Sequence, residues 1–284
     1  SYVAHYPLGV VLAVMPWNFP FWQVFRAAAP ALMAGNAVVL KHASNVPQCA
    51  QMIEAIFRDS GLPEGLFTTL MIEVDQVADV IASPHVQAVT LTGSEAAGRK
   101  VAAAAGQHLK KCVLELGGSD PFIVLRDADL DFTSNMAVAS RFMNCGQSCI
   151  AAKRFILAPE IAEPFLQEFK RKTEALTLGD PTADATQIGP MARLDLRETL
   201  HKQVTDSIAQ GAIALTGCQP DAREGFFYPP SILDHVTAKT RAYHEELFGP
   251  VAIMIRAESE SHAIQISNET KFGLGSSIWC KDVA

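Results

Sequence analysis

Residues 10–40 read VVLAVMPWNFPFWQVFRAAAPALMAGNAVVL. Val10 to Met15 is an unbroken apolar run closed by Pro16, which has the length and character of a buried strand. A helix is expected over 22–33, stopped by Gly35, because glycine accepts the left-handed backbone that ends a helix. Ala37-Val38-Val39-Leu40 then begins a second strand. Two buried strands joined by one helix make a parallel crossover.

Outward from this unit the alternation continues. A helix is expected over 47–57, opened by Pro47, with Gly61, Pro63 and Gly65 marking a loop after it. A strand over 86–91, a helix over 95–109 and a strand over 112–116 follow, closed by Gly117-Gly118. Beyond those glycines the pattern restarts, with strands over 122–125, 154–157 and 251–255 and a strand-like run over 275–280. Helices are expected over 130–143, 161–176 and 195–210. This order implies an α/β protein with a doubly wound parallel sheet. We place a domain boundary at Gly117-Gly118, giving halves 1–117 and 118–284.

Composition narrows the function classes. The 284 residues are 49% apolar and 19% charged, with net charge −7, so no nucleic-acid partner is expected; phosphate binding needs clustered Lys and Arg. No apolar stretch approaches the roughly 18 residues of a membrane span. The first residues also lack the basic start and apolar core of a secretory leader. Six cysteines, at 49, 112, 145, 149, 218 and 280, are too sparse for a disulfide scaffold, so a reducing cytoplasm is expected. Cys145 and Cys149 have no second pair or nearby histidine to complete a metal site, and none is expected. Ser1 runs almost directly into a strand and Ala284 follows one closely, so the chain reads as a segment of a longer protein, lacking parts on both sides.

Four places could carry chemistry. Thr92-Gly93-Ser94-Glu95 joins a strand to a helix, where Gly93 permits a tight turn and Ser94 offers a hydroxyl. A helix start with its free N–H groups suits a diphosphate, although Gly-x-Gly-x-x-Gly is absent and an ordinary turn would look the same. In Asn144-Cys145-Gly146-Gln147-Ser148-Cys149, Cys149 lies in an irregular segment between helix and strand. A thiol there reacts if dipoles or a base favour its thiolate; otherwise it is a buried, inert cysteine. Glu115 ends an apolar strand, where lost solvation would raise its pKa towards that of a general base, or where it simply reaches solvent. Asn18, between Pro16-Trp17 and Phe19-Pro20, is a rigid amide suited to a developing oxyanion or a common turn residue. Strand and helix ends of such sheets are where ligands gather.

Six motifs in this order resemble the aldehyde dehydrogenase superfamily. They are Pro16-Trp17-Asn18-Phe19-Pro20, Lys41, Thr92-Gly93-Ser94, Glu115-Leu116-Gly117-Gly118, Gly146-Gln147-Ser148-Cys149 and Glu245-Glu246-Leu247-Phe248-Gly249-Pro250. The stretches 41–47, 111–125 and 151–156 look most like bacterial succinate-semialdehyde dehydrogenases. The resemblance implies a Rossmann-like cofactor domain (1–117) and an α/β catalytic domain (118–284). It makes Cys149 the nucleophile, Glu115 the water-activating base and Asn18, with the Cys149 N–H, the oxyanion donor. Trp17, Lys41, Ser44, Gly93, Ser94, Glu246 and Phe248 would bind NADP or NAD, with Glu246 on the nicotinamide ribose and Phe248 on the nicotinamide. Arg26 matches an arginine that would hold the succinate-semialdehyde carboxylate; its plainer reading is a surface ion pair. A second arginine of one subgroup is here Met143, with Arg141 expected on another helix face.

At the position of Ser44, NAD-preferring relatives often carry a Glu, so Ser44 implies that NADP is accepted. The implied partners are a small-molecule aldehyde and further copies of the full-length chain. A coenzyme A-acylating enzyme and an inactive cofactor-binding fragment are the competing readings. Cys145, four residues from Cys149, could also trap it as a disulfide.

Overall fold

The structure is a computed structural model that describes residues 1–282, so the last two residues of the expected 118–284 half lie outside the described residues. The chain divides into two units, Ser1–Gly117 and Gly118–Ala284.

The first unit is built on five parallel strands: β1 (Val10–Met15), β2 (Ala37–His42), β3 (Phe67–Thr69), β4 (Val86–Thr92) and β5 (Lys111–Glu115). Their order in the sheet is β3-β2-β1-β4-β5, so the direction of winding reverses between β1 and β4. Side chains alternate across the sheet, as the two-residue period of a strand requires. Ala13 and Met15 pack with Val24 and Ala28 of α1 (Pro20–Met33) and with Ala50 and Ile53 of α2 (Pro47–Asp59). On the other side Leu12 packs with Val77 and Ile81 of α3 (Val77–Ala82) and with Val101 and Ala105 of α4 (Glu95–Gln107). Helices on both faces make the sheet doubly wound, as the alternation implied.

Proline sets the starts of two helices. Pro20 and Pro47 lie at the first turns of α1 and α2, where the missing N–H costs nothing. This is why α1 begins two residues before the expected 22. At its far end Gly35 adopts φ +86°, the left-handed conformation expected of it. The sequence reading missed β3 and α3, which are three and six residues long and too short to display a period.

Among its described residues the second unit has six strands in the order β11-β6-β7-β10-β9-β8. They are β6 (Asp120–Val124), β7 (Ala152–Leu157), β8 (Ile213–Thr216), β9 (Ser231–Asp234), β10 (Val251–Arg256) and β11 (Ser277–Trp279). All pair in parallel except β8 with β9. The helices are α5 (Leu130–Phe142), α6 (Ala162–Glu174), α7 (Leu194–Ala209), α8 (Arg241–His244) and α9 (Glu260–Asn268). Every residue of β7 is buried, and Phe155 from it stacks into a cluster with Phe165 and Phe169 of α6. No helix among the described residues is long and apolar enough to cross a membrane.

Candidate active site

In the first unit the flagged residues collect at the carboxyl ends of the strands. Trp17 and Asn18 follow β1, Lys41 is the next-to-last residue of β2, Gly93 and Ser94 follow β4, and Glu115 is the last residue of β5. This is the edge of a doubly wound sheet where ligands bind, at the point where winding reverses.

His42, which the sequence reading passed over, anchors the loop that carries Asn18. Its ring is buried; Nδ1 accepts from the Ala43 N–H at 2.8 Å, and Nε2–H donates to the Pro20 carbonyl at 3.0 Å. Burial first, and the Lys41 charge last, lower its pKa, while the Pro20 and Met15 carbonyls oppose them. The ring is therefore a neutral brace between β2 and the 16–20 loop. A histidine just after a strand lysine was the available signal, but only the fold shows what it braces.

Lys41 is also buried, which lowers its pKa, while Glu73 opposes the change. It lines a cavity of about 780 Å³ together with Met15, Ala43, Ser94, Lys100 and the α3 residue Val77. The size, apolar walls and few polar groups are those of a small-molecule site. Ser94 is the N-cap of α4, its hydroxyl accepting from Ala97 N–H at 3.2 Å. The Gly93 N–H donates to the Glu115 carbonyl at 3.0 Å, tying the turn after β4 to the end of β5. Ser44 is exposed, one residue beyond Ala43 of the cavity wall.

Glu115 and Arg26 each carry two readings. Glu115 reaches solvent: its side chain is 40% exposed, because β5 is an edge strand among the described residues, with Val113 59% exposed. Arg26, 43% exposed, has a carboxylate neighbour in its own unit, with Nη2 3.5 Å from Glu115 Oε1. An ion pair this open contributes at most about 1 kcal/mol, so the guanidinium is held loosely.

In the second unit Cys149 follows a sharp turn after α5. Asn144, Cys145 and Gly146 have φ of 53°, 54° and 68°, three successive residues in the left-handed region. Only glycine fits the third place. A Cβ on Gly146 would strike the Gly249 carbonyl and come within 2.7 Å of Arg141 Nη2. Arg141 is fully buried and donates to the carbonyls of Ala152 (3.0 Å), Gly146 (2.6 Å) and Gly249 (2.9 Å). Thus Arg141 is a main-chain brace in the core, and Met143 beside it is 55% exposed. Gln147 Oε1 accepts from Ala192 N–H at 3.1 Å, fixing the residue two before the thiol.

Cys149 is half-buried. Burial raises its pKa, Lys153 opposes that, Glu246 adds to it, and the N–H groups of Ile150 and Cys149 itself favour the thiolate. Cys145 is buried and pushed up to about 12, with Arg141 opposing. It stays a neutral thiol, a poor partner for rapid disulfide exchange. Glu246, 20% exposed, has its pKa raised by burial; its Oε1 accepts from Gly118 N–H at 3.1 Å and lies 3.5 Å from Lys153 Nζ. Phe248 is half-buried, one residue before the Gly249 carbonyl that Arg141 holds. Among the described residues no group of three or more His, Cys, Asp or Glu side chains could hold a metal ion.

All of residues 1–284 match the model described as the aldehyde dehydrogenase family. A succinate-semialdehyde dehydrogenase (NADP+) of Mycobacterium avium (strain 104) is 52% identical over 284 residues, covering 100% of this chain and 60% of that protein. A succinate semialdehyde dehydrogenase (NAD(P)+) of Escherichia coli (strain K12) is 49% identical over 280 residues, with 99% and 61% covered. The crystal structure of succinic semialdehyde dehydrogenase from Streptococcus pyogenes in complex with NADP+ superposes with a TM-score of 0.95 at 38% identity. That match covers 98% of this chain and 61% of the other. The chain thus spans about three fifths of the length of the relatives it matches.

Proposed function

Because this chain belongs to the aldehyde dehydrogenase family, we propose that it is the cofactor-binding (1–117) and catalytic (118–284) part of an enzyme that oxidises succinate semialdehyde to succinate with NADP or NAD. The observation that carries the reading is the place of Cys149, half-buried three residues after the left-handed Asn144–Gly146 turn and with its carbonyl held by Lys153; burial raises its pKa, and Lys153 and the N–H groups of Ile150 and Cys149 oppose that rise. The names of the relatives support the substrate.

In this reading the Cys149 thiolate attacks the aldehyde carbon, forming a C–S bond, and the carbonyl oxygen becomes an oxyanion. The Asn18 amide and the Cys149 N–H hold it. As charge moves from sulfur to oxygen, the N–H that favoured the thiolate serves the oxyanion instead. Oxidation of that carbon needs a hydride acceptor, which NADP or NAD would supply when bound; Cys149 would then carry the acyl group as a thioester. Glu115 then accepts a proton from the water that attacks the thioester, and the acid leaves as the thiol is restored.

The cofactor has fitting partners. The cavity beside Lys41 suits an adenosine, and the start of α4, with Gly93 and Ser94, suits a diphosphate. Trp17 would flank the cofactor, Glu246 would accept from the nicotinamide ribose hydroxyls and Phe248 would contact the ring. The free state of all six cysteines supports a reducing, cytoplasmic setting, and the resemblance supports a homo-oligomer of the full-length chain.

The test is to follow reduced cofactor and succinate with succinate semialdehyde as substrate, with and without coenzyme A. Steady turnover to the free acid, indifferent to coenzyme A, is expected. Acyl-coenzyme A as the product would replace hydrolysis by acyl transfer, and cofactor bound with none of it reduced would make the chain a cofactor-binding piece.

Two predictions address specificity. Ser44→Glu is expected to lower kcat/KM for NADP on the order of 10- to 100-fold and to leave NAD use nearly unchanged, because a carboxylate there repels a 2′-phosphate. Equal kcat/KM ratios for the two cofactors before and after the change would refute the role of Ser44. Arg26→Ala is expected to raise KM for succinate semialdehyde about 10-fold or more, the size of a lost charged hydrogen bond, with a much smaller effect on an uncharged aldehyde of similar length. An equal loss on both aldehydes would instead assign Arg26 to Glu115, its neighbour at 3.5 Å.

A further inference from the structure

Lys153 stands second in β7, a strand buried along its whole length, and its side chain is 1% exposed. A buried ammonium persists only when its N–H groups are taken and its charge is balanced. Here Nζ donates to the carbonyls of Ser148 (3.0 Å), Cys149 (2.8 Å) and Ala151 (3.2 Å). The balancing carboxylate, Glu246 at 3.5 Å, is itself fixed by the Gly118 N–H. One cation therefore gathers the main chain on either side of the thiol and links it to Glu246.

We propose that Lys153 is a positioning residue for the reaction: it clamps the 148–151 loop, and so the direction of Cys149 Sγ, and supplies the positive charge that steadies the thiolate. The inference rests on reading Cys149 as the nucleophile. Five charged or titratable groups bear on the site. Arg141 from α5 opposes the Lys153 charge, while Glu246 from the segment after α8, Asp120 from β6 and Cys149 from the loop favour it. Arg154, next on β7, acts on Asp120. Burial is the largest influence and lowers Lys153 to about 8. The clamp is thus charged at neutral pH, and its support for the thiolate fades as pH rises through about 8.

The test is the rate of Cys149 alkylation by iodoacetamide against pH, located by peptide mass, in the native chain, Lys153→Gln and Lys153→Met. Glutamine keeps a donor without charge. Its alkylation midpoint is expected to rise by about one pH unit, with the rate at neutral pH falling about 10-fold. Methionine is expected to do the same and also to speed amide exchange over 149–151, because the three carbonyls lose their donor. Unchanged midpoints in folded variants would overturn the proposal. If neither variant folds, Lys153→Arg decides, since a guanidinium keeps charge and donors but does not lose its proton near pH 8: support for the thiolate that no longer fades above pH 8 is expected, and an unchanged pH profile overturns the clamp. None of these readouts needs turnover. Activity lost in Cys149→Ser with alkylation unmoved in the Lys153 variants would sink the clamp alone; activity kept in Cys149→Ser would sink the nucleophile reading and leave the clamp's effect on the thiol standing.

Discussion

Cys149→Ser is expected to lower aldehyde-dependent reduction of the cofactor on the order of 10⁴-fold or more, since removing a covalent nucleophile takes away the whole two-step route. A hydroxyl ionises far above the thiol, and the N–H groups of Ile150 and Cys149 cannot close that gap. Serine fits the half-buried place, so the loss is chemical; an unchanged thermal midpoint checks this. Glu115→Gln should behave differently. The steps up to the thioester do not need the base, so one equivalent of reduced cofactor should still form in a burst. Steady turnover should then fall about 10²- to 10⁴-fold, the usual contribution of a general base. Stopped-flow absorbance separates the two. Activity surviving in Cys149→Ser, or a Glu115→Gln variant with neither burst nor turnover, would refute the assigned roles.

The fold that carries these candidate residues was legible in part. The alternation of apolar runs with helices marked β1, α1 and β2, because buried parallel strands must be apolar on both sides and Pro20 and Gly35 punctuate the helix between them. It also put Asn18, Lys41, Ser94 and Glu115 at strand ends. What sequence could not reveal was which strands lie at an edge. Apolar neighbours left Glu115 either desolvated or reaching solvent; among the described residues β5 pairs with β4 alone, Val113 and Leu114 are exposed, and the carboxylate reaches solvent. Two charged residues were passed over for another reason. Lys153 and Arg154 follow Ala152 in β7, and no letter near them marks them as buried. They are buried because β7 lies between β6 and β10. Their partners are main-chain carbonyls: Ser148, Cys149 and Ala151 for Lys153, and Ser119, Ile266 and Ser267 for Arg154. A carbonyl has no letter of its own, so a brace of this kind leaves no pattern in the sequence.

Arg141 exposes the same blindness most sharply, and Arg141→Met is expected to destabilise the 118–284 unit by about 3 kcal/mol or more. Methionine fills much of the volume and removes a real cost, since burial lowers the guanidinium to about 10, a difference of about 3 kcal/mol. Against this stand the carbonyls of Ala152, Gly146 and Gly249, which no substitution can remove. Each, left buried without a donor, costs about 1–3 kcal/mol. Replacing both partners of a buried ion pair with apolar groups can be neutral, whereas here only one side can change. The three stranded carbonyls together outweigh the guanidinium's own burial cost, which fixes the sign. Urea unfolding followed by amide exchange in β7 gives the magnitude. A second consequence is local: with the brace gone, Cys145 should become open to alkylation in the folded chain at a rate the native protein does not show. A stability change below about 1 kcal/mol with Cys145 still protected would mean that the three carbonyls find other donors, and the turn before Cys149 would then owe its shape to Gly146 alone.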